Sequence, residues 1–389
     1  MSILCSLTDG WIISHYQFIN RTYESLGTCK KRFEVDSSLF QIDTPFARFV
    51  VESKNISKNG SETLVSTHRK RRKKRRNATP NSDMNYVVLV ELNCEKMIEE
   101  GRKQGFFTYV STPTDIKRNN AVAQNKARTF YSTHTVSSSM RFHGENSSNV
   151  GLVTEINNEH YLVPANCKFF CYDVKDIEEK IDMLTAPYDF VLLDPPWWNK
   201  YIRRKKAKCV NAGYQMMYDF ELIKIPIASL TAAGSLVAVW CTNSENHLNF
   251  LLNEIFPAWD VEYIGNWFWL KVTHGGEPVC QFSEPPGKQP FEQIVFGHRK
   301  DANREQPLPE PNKVIISIPS AIHSHKPPIA DVMAQYLPQK PRCIELFARY
   351  LLPGWTSWGY EVMKLQHLSL FIERDEKTEL VECCNVIST

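Results

Sequence analysis

The segment FVLL at 190–193, which runs directly into Asp194-Pro195-Pro196-Trp197, constrains this chain more than any other. Four consecutive apolar residues without polar alternates predict a strand covered on both faces. SLVAVWC at 235–241 predicts a second strand of the same kind. Between the two, residues 219–230 predict a short helix broken at Pro226, because proline removes a backbone donor. Ser244 suits the N-cap of a helix whose Leu248, Leu251, Leu252, Ile255 and Phe256 recur at helical spacing. Further strands are predicted at 261–272, 291–297, 313–317, 342–346 and near 360, with a helix from Pro327 to Tyr336. Strands alternating with helices imply an α/β fold around a mostly parallel sheet. In such sheets ligands bind at the carboxyl ends of the strands, which is where this reading places Asp194.

The 389 residues allow one large domain with extensions, or two to three smaller ones. A hydrophobic content of 42% against 23% charged permits a well-buried core. The net charge of +3 is local in origin, because residues 69–76 read RKRRKKRR. Taking those eight away from 46 basic residues leaves 38 against 43 acidic. The surrounding stretch, 51–83, is too polar to bury a core and reads as a flexible linker. The basic run suits a nuclear localisation signal, a phosphate-binding arm or a solvated tether, with the nucleus as the expected compartment. Residues 1–50 read as a small N-terminal element, and 84–149 as a middle region with a helix capped at Gly101. Within it, 132–149 looks like an exposed loop or linker. Residues 150–375 form the expected catalytic domain, and 376–389 a C-terminal tail. Eleven cysteines without a C-x-x-C spacing fit reduced thiols. His323, His325 and Cys343 lack metal-ligand spacing, so no metal site is expected. The most apolar stretch, 225–241, is shorter than the roughly 20 residues of a membrane span, so no membrane partner is expected.

The residue types at 194–197 suit one chemistry. The exocyclic N6 amine of adenine is a poor nucleophile because its lone pair is delocalised into the ring. A carboxylate accepting one N–H and a carbonyl accepting the other draw it toward tetrahedral geometry. Asp194 can supply the carboxylate and Pro195 the carbonyl, with Pro195 and Pro196 fixing the backbone beforehand. Trp197 offers a flat face for stacking the base.

LLDPPW at 192–197 resembles the signature of the adenine-N6 methyltransferase family that includes the messenger-RNA N6-adenosine writers. Three later segments carry the resemblance in the family's order: KQPFEQIVFG (288–297), HSHKPPI (323–329) and IELFARYLLPGWTSWGYEV (344–362). It implies a Rossmann-like S-adenosylmethionine-dependent methyltransferase fold with permuted motif order and an N-terminal extension. The cofactor implied is S-adenosylmethionine. Its implied contacts are Asp194, Glu345, Phe347 and Arg349 at the methionine and ribose end, Lys288 at the carboxylate, His325 from the H-S-x-K-P element, and Cys167, Lys168 and Phe169 beside the adenine. Where relatives carry asparagines, this chain has Tyr350 and Tyr360, which cannot make the two-sided contact of an amide. The implied activity is N6 methylation of RNA, at an internal 2′-O-methyladenosine of U2 small nuclear RNA; no heptad or exposed apolar stripe demands a partner, so a monomer is expected. The alternatives are a DNA adenine-N6 methyltransferase and a catalytically silent RNA-binding scaffold of the same fold.

After the motif, Trp198, Asn199, Lys200, Arg203, Arg204 and Lys205 make a cationic loop with aromatics, suited to phosphates around a flipped-out or single-stranded adenine. Reversing the charges of Arg203 and Arg204 is therefore expected to weaken nucleic-acid binding and flatten its salt dependence, with cofactor binding intact. Fluorescence anisotropy at two salt concentrations checks this, and unchanged affinity would contradict the role.

Overall fold

The computed structural model of the chain describes residues 2–24, 26, 31–46, 83–108, 120–134, 141–198, 217–285, 287–301 and 304–375. Strands β1 (Ile3–Leu7) and β2 (Gly10–Ile13) precede helix α1 (His15–Thr22) and strand β3 (Lys31–Val35). Helices α2 (Asp83–Lys103) and α3 (Ala121–Thr133) are followed by β4 (Phe142–Asn146), β5 (Leu152–Ile156), β6 (Glu159–Val163), β7 (Cys167–Cys171) and β8 (Tyr188–Leu193). Two single-turn helices, α4 (Asp219–Leu222) and α5 (Ile227–Leu230), lead into β9 (Thr231–Cys241). Helix α6 (Glu245–Phe250) continues through a π-helical segment, Leu251–Ile255, into β10 (Glu262–Lys271), β11 (Phe291–His298) and β12 (Val314–Ser317). Helix α7 (Ala330–Met333) precedes β13 (Cys343–Leu346), β14 (Trp355–Trp358) and β15 (Phe371–Asp375).

Eleven strands form one sheet in the order β1-β2-β12-β10-β11-β9-β8-β13-β14-β7-β4. All but β1, β4 and β11 run the same way, so the expected mostly parallel α/β sheet is present. The apolar run of β8 explains its central place. Phe190 and Leu192 pack into the core on one face with Trp240, Trp267 and Met333, while Val191 and Leu193 pack on the other with Val239, Ile255 and Phe256. Each face buries a separate apolar cluster, as a strand with period-two side chains and no polar alternates requires.

Several elements depart from the sequence reading. Residues 1–50 do not stand apart as a small element, because β2 pairs in parallel with β12 inside the main sheet. The stretch 132–149, expected as a loop or linker, contains β4, which closes the sheet edge against β7. Its residues FHGEN are polar because an edge strand keeps one face in water. Gly101 does not cap α2; its amide lies within the helix, and an added Cβ would strike the Phe107 ring. The stop is Gly105, at φ +79°, with the Phe106 N–H bonding the Gly101 carbonyl and the Gly105 N–H that of Arg102. The helix expected from Pro327 begins only at Ala330, since a following proline holds Pro327 out of the helical region. The strand expected near 360 ends at Trp358, with Tyr360 in the following turn. Ser244 does sit at the N-cap of α6, but its side chain makes no capping hydrogen bond. The basic run at 69–76, most of the 51–83 linker and the 376–389 tail lie outside the described residues.

The seam between β2 and β12 is tight. Gly10 has φ +148°, and a Cβ there would lie 1.8 Å from the Val314 carbonyl oxygen. Gly10→Ala is therefore expected to cost more than about 2 kcal/mol. Urea unfolding checks this, and a variant as stable as the parent would contradict the register of the N-terminal strands.

Candidate active site

The shared strand direction delivers the ends of β8, β9, β13 and β14 to one edge, and antiparallel β11 contributes its first residues there. Asp194 follows Leu193 and is buried. Glu345 is the register partner of Leu192, two residues before Asp194, so the two carboxyls share a face of the sheet.

Cations meet these acids. The Lys326 ammonium donates to Asp194 Oδ1 at 3.0 Å and lies 3.3 Å from Glu292 Oε2. Lys271 bonds the other oxygen of Glu292. Arg349 Nη1 stands 3.7 Å from Asp194 Oδ2 and donates to the Ser324 carbonyl at 3.3 Å, while its Nε lies 3.7 Å from Glu361. Both oxygens of Asp194 therefore face a buried cation. Burial alone would push the Glu292 carboxyl up, but Lys326 and Lys271 hold it well below the ordinary range. Burial likewise opposes charge on Lys326, and Asp194 and Glu292 outweigh it. Glu345 is the exception: its Oε2 is buried without a hydrogen-bond partner, and burial, then Asp194, raises its pKa to about 8.

The structure gathers part of the expected site. Asp194, Glu345, Phe347 (left-handed, φ +63°) and Arg349 converge at this edge. His325 joins them, uncharged, its pKa lowered to about 3 by burial and then by Arg349; its Nε2 lies 3.1 Å from that of His15. Tyr350 is buried beside His325, with ring centroids 5.4 Å apart. Tyr360 flanks the end of β14, where the Arg141 guanidinium covers its ring at 4.3 Å and bonds its hydroxyl at 3.0 Å.

Three assignments need correction. Cys167 and Lys168 open β7, whose carboxyl end is Cys171, so they lie at the opposite edge of the sheet; Phe169 is mid-strand. At the carboxyl end of β7 stand Cys171 and, just beyond it, Tyr172. Lys288 is exposed, and the lysine that reaches Asp194 is Lys326. Trp197 offers no open stacking face: it is 6% exposed, its indole N–H bonds the Trp240 carbonyl at 2.7 Å, and His247 stacks on it. The carbonyl of Pro195 accepts the Trp197 N–H at 2.8 Å, and that of Pro196 the Met217 N–H at 3.0 Å. Trp198 is partly buried, whereas Asn199, Lys200, Arg203, Arg204 and Lys205 lie outside the described residues.

Lys326, Lys271, Glu292, Glu361 and His247 were missed. Lys326 and Glu292 stand inside segments quoted for their motifs, HSHKPPI and KQPFEQIVFG, where an unpaired charge in an apolar run was the available signal. Away from this edge, His134, Glu159 and His367 are the described group whose atoms could hold a metal. There His367 already gives Nε2 to Glu159 at 2.8 Å and accepts the Ser369 N–H at Nδ1, so a hydrogen-bonded pair explains it. No helix among the described residues is long and apolar enough to cross a membrane.

Residues 188–361 match the MT-A70 family model, a span holding Asp194, Glu292, Lys326, Glu345 and Arg349. The chain is 35% identical over 237 residues to the mouse N(6)-adenine-specific methyltransferase METTL4, covering 59% of this chain and 48% of that protein. It is 34% identical over 222 residues to a Caenorhabditis elegans DNA N6-methyl methyltransferase, covering 57% and 58%. Against the Pyricularia oryzae N6-methyladenosine RNA methyltransferase MTA1 it is 34% identical over 208 residues, covering 51% and 54%. The chain thus spans about half the length of these relatives.

The acids of this cluster predict a pH signature. Glu345, raised to about 8 from 4.5, holds a proton in the folded state that the unfolded chain releases, so its contribution falls as pH rises through that window. Glu292, depressed, acts oppositely: it stabilises above the ordinary carboxylate range and is lost toward acid. Glu345→Gln is therefore expected to be more stable than the parent at pH 8, by more than about 1 kcal/mol, and equal near pH 4.5. Denaturant titrations across that range check it; parallel curves would contradict it.

Proposed function

With residues 188–361 an MT-A70 domain, we propose that this protein methylates the N6 amine of adenine in RNA, taking the methyl group from S-adenosylmethionine. One observation carries the reading: the Asp194 carboxylate at the end of β8, gripped on one oxygen by Lys326 and faced on the other by Arg349. An adenine amine donates an N–H to this carboxylate, whose position is fixed before substrate arrives. The second N–H is accepted by the Pro195 carbonyl, which has a second lone pair beside its bond to the Trp197 amide. The amine nitrogen, held on both hydrogens, directs its lone pair away from the ring. The proton is lost from the methylated amine to solvent, so no strong base is needed.

The residues present fit the methyl donor. The buried, unpartnered Oε2 of Glu345 is an acceptor awaiting a donor, as a ribose hydroxyl or an amino group would supply. Arg349, Phe347 and Tyr360 line the ends of β13 and β14 beside it, and are the residues we assign to the cofactor. Bound there, the cofactor supplies an electrophilic methyl group. In this reading Tyr350, closed over by burial, shapes the pocket wall.

The substrate we favour is an internal 2′-O-methyladenosine of U2 small nuclear RNA, modified in the nucleus by a monomer, with the basic run at 69–76 as import signal. The fungal relative named as an RNA methyltransferase supports RNA. The nematode relative named as a DNA methyltransferase supports the second reading, DNA adenine. Radiolabelled methyl transfer to matched RNA and DNA oligonucleotides, with and without the 2′-O-methyl group, tests them. Asp194→Asn is expected to lower kcat by at least about a hundredfold. Full activity in that variant would refute the mechanism.

A further inference from the structure

Two large aromatic side chains stand in water next to the motif. Tyr218 is 54% and Phe220 57% exposed, and their rings stack on each other, with centroids 5.6 Å apart and planes 13° from parallel. Their position follows from the backbone. The Met217 N–H bonds the Pro196 carbonyl at 3.0 Å, and Trp197 and Met217 form a parallel bridge. Tyr218 therefore begins one residue, about 3.8 Å of chain, beyond the point tied to the motif. Between the two aromatics, Asp219 turns inward to stand 3.9 Å from His247, the ring that covers Trp197. The pair is thus held beside the motif.

We propose that Tyr218 and Phe220 form a stacking platform for an unpaired nucleobase adjoining the target adenine, and so make single-stranded nucleic acid the preferred substrate. The proposal rests on the N6-adenine reading of the site. Three features favour a nucleobase as occupant. Trp197 is buried and cannot present the open face that a base needs, so the stacking surface must come from elsewhere. The two rings are already stacked and near parallel, so an incoming base meets a preformed outer ring face with little left to order. The border is compatible with a phosphate backbone: Lys175 takes up the charge of Glu221 at 2.6 Å, and Lys224, also exposed, lies close enough to act on the same carboxylate. A base stacks here only if the face turned to the platform is free of a neighbouring base, as it is in a single strand.

The test uses the full chain with a fluorescent single-stranded oligonucleotide carrying the target adenine. Tyr218→Ala combined with Phe220→Ala is expected to raise Kd about 10- to 100-fold. The loss should appear in KM rather than kcat, with S-adenosylmethionine affinity by calorimetry and the unfolding midpoint unchanged. Tyr218→Trp with Phe220→Trp should bind as the parent does, because every aromatic retains a stacking face. Leu92→Ala, at a remote exposed position on α2, is the control. Parental affinity in the folded alanine variant overturns the platform, and so does equal loss in the tryptophan variant. Absence of methyl transfer by the parent protein overturns the N6 reading itself, while the oligonucleotide affinities still decide the platform.

Discussion

The arrangement of the site depends on one buried ammonium. Lys326 reaches from the loop before α7 to Asp194 at the end of β8 and Glu292 at the start of β11, joining three segments far apart in sequence. Taking this many charges out of water is costly, and the cost is offset only where each ion meets its partners in good geometry. Here Asp194, Glu292 and Glu361 are balanced by Lys326, Lys271 and Arg349. A fourth carboxyl, Glu345, is buried with its Oε2 unpartnered, and burial and then Asp194 raise its pKa to about 8. The charge pattern thus separates the acids: Asp194 lies between two cations, Glu292 and Glu361 anchor cations, and Glu345 stands unpaired beside them.

The frame around this cluster was legible because it follows from local rules. The apolar runs of β8 and β9 needed burial on both faces, and the motif at the end of β8 had to fall at the carboxyl edge. What failed depended on partners distant in sequence. Lys288 and Lys326 are alike as residue types, and only the fold brings the second to Asp194. Cys167 and Cys171 are the two ends of one five-residue strand, and choosing between them requires its direction in the sheet. Trp197 shows a third kind of failure. An aromatic beside a base pocket invites a stacking role, but its indole N–H needed a partner and found the Trp240 carbonyl inside the core.

The residues before the matched span belong to the same structure. Strand β2 extends the sheet beyond β12, and β4 closes its other edge, so both margins come from residues outside 188–361. His15 on α1 meets His325, the residue before Lys326, at 3.1 Å. Both rings are buried, and burial keeps His15 as well as His325 uncharged, so the pair shares a single proton between facing nitrogens. The N-terminal segment therefore fixes the loop that carries the central ammonium.

This sharing of the site changes the meaning of the tyrosine at 360. Where the resemblance implies an asparagine, this chain has a phenol, and an amide's two-sided contact is lost. The structure answers with Arg141, just ahead of β4, which lies over the Tyr360 ring and bonds its hydroxyl. Arg141 lies well outside the matched span, so no inspection of the motif alone would connect the two. A guanidinium stacked on a phenol offers a broad planar surface beside the end of β14. The exchange at 360 thus belongs to a pair that replaces an amide's contacts with a cation and a ring, and its second member is supplied by the edge strand's approach.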